Sequence, residues 1–132
     1  MKAGEFIYAR TNAEFLNKAF GTNYKGWQKS SWKYDEEWTV WMVRFNKENG
    51  GWTNTFISST RIKQYNILKR TEFEGKPIAK ATTKKRLVFE IDDSGFSRKY
   101  IFRGKFVYDE ENSDPVTAQY LDLFSDEFKS II

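Results

Sequence analysis

Rings, rather than aliphatic side chains, have to fill the interior of this chain: 12 Phe, 7 Tyr and 5 Trp make up 18% of its 132 residues. Broad flat side chains fit best on a half-buried pleated surface, so this content favours strands over a helical bundle. A chain of this length buries a core without staples and reads as one domain, 1–132. All five tryptophans fall in one stretch, as Trp27, Trp32, Trp38, Trp41 and Trp52, and the chain has no Cys and no His. The usual nucleophile–base pairs and soft-metal sites are therefore missing, which points to binding rather than to an enzyme. Zero cysteine suits a reducing compartment. No apolar run approaches the roughly 20 residues of a membrane span, and the opening MKAGEFIYAR turns polar at once. The expectation is a cytoplasmic protein with no membrane contact and no cofactor.

Charge is segregated along the chain. Residues 61–105 carry 13 Lys and Arg against 5 Asp and Glu, whereas residues 106–132 carry 1 against 7. A local positive field draws polyanions more than a net charge of +4 does. The same lysines can also simply coat a solvated face, and the acidic tail can fold back over them.

Local signals place most elements. Thr11 followed by Glu14 is a capping box, the apolar stripe Phe15, Leu16, Ala19 and Phe20 has helical spacing, and Gly21 suits a left-handed cap, so a helix is expected over 12–20. Residues 22–35 read as an irregular basic loop. Residues 38–46 form a strand, Asn49-Gly50-Gly51 a turn, and residues 52–57 the return strand of a hairpin. Residues 61–68 and 87–92 read as strands. Asp93-Ser94-Gly95 is a turn, and residues 96–108 return around a bulge or close approach at Gly104. Residues 116–124 fit a strand or a helix, with Pro115 able to occupy a first helical turn. Ser125 caps a short helix over 126–130. The expected class is α+β and β-rich: a small bent sheet or β-barrel with a helix near each end.

Tyr100, Phe102, Gly104, Phe106, Tyr108, Asp109 and the turn Ser113 to Pro115 form a pattern along the last third of the chain. It resembles the closing region of PUA-like domains of the SRA-like kind that accompany bacterial restriction nucleases. The resemblance covers about a quarter of the chain. It implies a PUA-like β-barrel, a last strand at residues 119–124, and a reader of nucleic acid, often of a modified base.

A reader that extracts a base needs rings for its π-face and a hydrogen-bonding side chain for its edge. Trp27, Trp32, Tyr34 and Trp52 are the candidate stacking residues. Asn54, on the same strand face as Trp52, is the candidate for the edge. Arg61, Lys63, Lys84, Lys85, Arg86, Arg98, Lys99 and Arg103 are the candidate phosphate contacts. Each set has a purely structural alternative, in which the rings pack the core, Asn54 caps a turn, and the basic groups solubilise a rim. The Glu72-x-Glu74-x-Lys76 step lacks the acidic strand end of a metal-dependent nuclease. Asp92-Asp93 and Asp109-Glu110-Glu111 read as turns rather than a cation site. Catalysis and metal binding are therefore not expected. A nucleic-acid or nucleotide-binding module leads. Its rivals are a stand-alone protein-binding inhibitor of the phage anti-defence kind, whose acidic surface imitates DNA, and a sponge for signalling nucleotides.

Overall fold

The computed structural model describes residues 1–47, 52–66, 84–114 and 118–129. Within them lie β1 (Phe6–Tyr8), α1 (Asn12–Phe20), β2 (Ser31–Lys33), β3 (Thr39–Val43), β4 (Trp52–Ser58), β5 (Arg61–Asn66), β6 (Lys85–Asp92), β7 (Lys99–Tyr108) and β8 (Ala118–Ser125). One mixed sheet takes the order β2-β3-β6-β7-β8-β5-β4, with β1 added alongside β7. Among the described residues no helix is long and apolar enough to cross a membrane.

The helix forms where its caps put it. Thr11 Oγ1 accepts the Glu14 N–H at 3.1 Å, and Gly21, at φ 70°, donates to the Asn17 carbonyl at 3.2 Å. Its buried stripe of Ala13, Phe15, Leu16, Ala19 and Phe20 covers one side of the sheet. There Phe15 stacks on Tyr100, 4.4 Å between centroids at 8°, and meets Phe89 at 4.7 Å. Leu87, Phe89, Ile91, Val40, Met42 and Phe102 complete this helix-side cluster. A second cluster fills the opposite, inner face: Trp41, Val43, Phe45, Ile62, Val88, Phe106 and Leu121, with Phe56 against them.

Gly104 lets β7 serve both. Tyr100 and Phe102 belong to the helix side and Phe106 to the inner face, so the side-chain alternation must slip once between them. The slip is a bulge opposite Val88 and Phe89, and Gly104 sits in it at φ 130°. A Cβ there would lie 2.5 Å from Leu123 Cδ1 and 3.1 Å from the Ser125 carbonyl.

Four expectations change. The hairpin between residues 38–46 and 52–57 does not form. β3 pairs with β2 and, in parallel, with β6, while β4 pairs with β5. β3 is buried on both faces over Val40 to Val43, as strands in parallel pairings are. The turn residues 49–51 lie outside the described residues. What joins β3 to β4 is a seam at Asn46, at φ 61°, whose N–H donates to the Asn54 carbonyl at 2.8 Å and whose Oδ1 accepts from Thr55 Oγ1 at 2.8 Å. The sheet is thus open and bent, with no ladder closing it into a barrel among the described residues. The second helix is also absent as far as residue 129. Ala3 donates to the Asp126 carbonyl and Phe128 to the Met1 carbonyl, so the segment is extended beside the N-terminus. Finally, the return strand starts at Lys99, and Phe96 stays in the turn. The ambiguous segment after Pro115 is the strand β8, as the resemblance implied.

Candidate nucleic-acid interface

Registers across β4, β5 and β8 place three carboxamides in a row, Asn54 opposite Gln64 and Gln64 opposite Gln119. The adjacent row is Phe56, Ile62 and Leu121, all of the inner cluster. Side chains two residues apart share a strand face, so the carboxamides continue the inner face beyond the rings. Asn54 is 9% and Gln119 2% exposed. Asn54 Oδ1 and both Gln119 side-chain atoms, Nε2 and Oε1, have no hydrogen-bond partner among the described residues. A buried polar atom without a partner costs about 1–3 kcal/mol, and such groups are scarce in native interiors. Donor and acceptor side by side match the edge of a nucleobase, which an aliphatic residue cannot read.

The same face holds a buried cation. Arg86 is 7% exposed, its guanidinium 4.7 Å from the centroid of Trp41. Burial pushes it down to about 10, partly offset by the field of Tyr108. Tyr108 pairs with Leu121, one step along β8 from the Gln119 face position. Sequence reasoning listed Arg86 with the surface cations and missed Gln119. A Gln flanked by apolar residues at alternate positions, as in Gln119-x-Leu121-x-Leu123, was the available signal.

The expected stacking residues sit elsewhere. Trp27, Trp32 and Tyr34 are half-buried against the helix-side cluster. Trp32 lies 5.2 Å from the Phe20 ring and donates from Nε1 to Tyr24 Oη at 2.9 Å. Trp27 meets Tyr24 at 4.8 Å and donates to the Ser31 carbonyl at 3.1 Å. Tyr34 leans on Phe20 and Phe128. Trp52 opens β4 opposite Asn66, two positions before Asn54, and its side chain lies outside the described residues.

Most of the expected phosphate contacts have acidic neighbours. Arg61 bridges Asp109 at 2.9 Å and Asp122 at 2.8 Å, with Tyr120 under its guanidinium. Burial works against its charge, but the bond to Asp109 and the field of Asp122 outweigh it and raise Arg61 above its ordinary value. Lys84 pairs with Glu110, Lys85 with Glu37, Arg98 with Asp93 and Arg103 with Glu90. Lys63 lies over the ring of Tyr65 and Lys99 over that of Phe6, and Lys99 also stands opposite Asp92, whose carboxyl its charge helps to hold low. Part of the acidic C-terminal segment therefore does fold back on the basic one. Among the described residues no group of three or more acidic side chains is arranged to hold a metal.

Comparison with known proteins bears on the fold. The chain superposes on the 5-hydroxymethylcytosine-specific restriction enzyme AbaSI with a TM-score of 0.73 at 21% identity, over 96% of this chain and 40% of that one. The chain thus spans about two-fifths of the enzyme's length. No curated protein sequence matches it. The model of the SET and RING associated domain matches residues 1–129. This match covers nearly the whole chain, and the chain belongs to the SET and RING associated (SRA) family, whose domains are DNA-binding modules of PUA-like fold.

Proposed function

We propose that this SRA domain reads a modified cytosine in DNA by taking the extracted base onto the inner face, where Asn54 and Gln119 bind its edge. The observation that carries the reading is the pair of buried carboxamides with unpartnered atoms on one sheet face. A base edge bound there recovers the hydrogen bonds whose absence destabilises the free protein. The base class follows from the similar restriction enzyme, whose name specifies 5-hydroxymethylcytosine. Trp52, two positions before Asn54 in β4, is the proposed stacking residue. Lys63, over the ring of Tyr65, contributes a phosphate contact. The domain binds without cutting and is a recognition part of the restriction–modification kind.

Anisotropy titration tests this with duplexes that carry cytosine, 5-methylcytosine or 5-hydroxymethylcytosine, at low and high salt. Binding at low salt that weakens as salt rises, with preference for a modified duplex, is expected. No binding to any duplex at low salt overturns the reading. The inhibitor alternative rests on an exposed acidic C-terminal surface, and Asp109, Glu110 and Asp122 are engaged by Arg61 and Lys84 instead.

A further inference from the structure

A second candidate site lies at β1, α1 and the turn between β6 and β7. A cleft of about 360 Å³ opens there, lined by Tyr8, Arg10, Glu14, Lys18, Phe96 and Arg98 among others. Its volume falls in the range of about 300–1,000 Å³ of small-ligand sites. Two of its walls are rings that the fold does not bury. Phe96 is fully exposed and Tyr8 half exposed. A fully exposed Phe gains nothing for folding, so the ring is available to a ligand.

The remaining walls are cationic. Arg10, Lys18 and Arg98 face a single lining carboxylate, Glu14. Glu14 takes Arg10 Nε at 3.1 Å and Lys18 Nζ at 3.1 Å, which holds both cations at the cleft. Lys18 is fixed further by the Tyr8 carbonyl at 2.8 Å. Arg10 uses Nε alone on Glu14, and its side chain is 91% exposed, so the rest of its guanidinium is open to a phosphate. Arg98 is oriented by Asp93 at 2.7 Å. The ridge continues along β1, where Phe6 meets Tyr8 edge-on at 5.1 Å and carries Lys99 over its ring at 4.7 Å. Rings interleaved with cations are what a single nucleic-acid strand needs, because every base has a π-face and every nucleotide a phosphate.

We propose that the cleft between Tyr8 and Phe96 binds a nucleotide of single-stranded DNA, separately from the inner face. The proposal rests on the nucleic-acid reading above, for it gives that module a second contact with the strand. The base stacks on Phe96 or Tyr8, and Arg10 and Lys18 hold the adjoining phosphate.

The test uses a labelled oligothymidylate about eight nucleotides long beside a blunt modified-cytosine duplex, each titrated at low salt into the wild-type protein, Phe96→Ala and Arg10→Ala. Both substituted side chains are almost wholly exposed, so the variants should melt with the wild type. The oligonucleotide should bind the wild type and bind each variant about tenfold more weakly, with duplex affinity little changed. Duplex binding without oligonucleotide binding overturns the cleft and leaves the inner-face reading standing. Oligonucleotide binding that both variants retain also overturns the cleft. Failure to bind either probe overturns both readings together.

Discussion

The two faces of the sheet are built from opposite materials. On the helix side every aromatic wall has a ring neighbour, and the polar tips of Tyr100, Trp27 and Trp32 all find partners, Tyr100 Oη donating to Asn12 Oδ1 at 2.6 Å. On the inner face the rings give way to Asn54, Gln64 and Gln119, and three buried atoms go unpartnered. The first arrangement maximises stability, and the second gives some of it up. Unsatisfied buried groups are scarce in native interiors, and this contrast is what the proposal of binding at the inner face rests on.

Trp32→Ala would break this comparison most sharply. The ring packs on Phe20 and Tyr34 and holds the Tyr24 hydroxyl, so its loss should destabilise by about 3 kcal/mol. Urea unfolding measures this. An unchanged midpoint together with lost DNA binding would move the site to the helix side. Gly104→Ala comes next, at about 2 kcal/mol, because the new methyl meets Leu123 and the backbone holds φ 130°. It should hurt both faces at once, since Gly104 is where β7 crosses between them. A mutant of wild-type stability would mean that the bulge relaxes freely.

Gln119→Leu should act in the reverse sense. Replacing an unpartnered buried carboxamide by a hydrocarbon of similar length should raise stability by about 1 kcal/mol while lowering affinity for a modified duplex. Thermal melts and anisotropy on the same protein separate the two. Destabilisation with unchanged binding would place Gln119 in an ordinary structural network.

The legibility of these features in the sequence followed the range of the interactions that made them. The helix was readable because Thr11, Glu14 and Gly21 lie within ten positions of one another. The bulge was readable because one Gly interrupts a strand. The parallel pairing of β3 with β6 spans more than forty residues, and a nearby Asn-Gly-Gly turn offered a shorter-range answer that the fold did not take. Buried polar residues were the hardest to read. Asn54 was identified through its spacing from Trp52. Gln119 shares its face with Leu121 and Leu123, which is a local hint, but its burial also depends on which strands lie either side of β8. The packing of the tryptophans was hard to read for a related reason: a basic loop rich in rings looks like a surface, but Trp27 and Trp32 pack against the helix-side cluster.

The smallest effect concerns pH, and it sharpens the comparison at the edges of the two faces. Beside the helix-side cluster, Asp93 receives Arg44 at 2.9 Å and Arg98 at 2.7 Å. Burial works against its ionised form, but the two guanidinium groups prevail and hold the carboxyl below its usual range. Beyond the inner face, Asp109 is held low chiefly by the Asn112 amide, with Arg61 adding to it. A carboxyl whose folded value lies below its unfolded one stabilises the protein fully above the unfolded value. That contribution is lost as pH falls through the folded one. The urea midpoint should therefore hold between pH 6 and 5 and decline below about pH 4. Both groups are partly exposed, so the decline should be modest and weaken further in salt. Asp93→Asn removes the helix-side share and should flatten the curve in part, and Asp109→Asn should flatten it further. A midpoint that stays constant down to about pH 3 would show that these ion pairs add nothing to either edge.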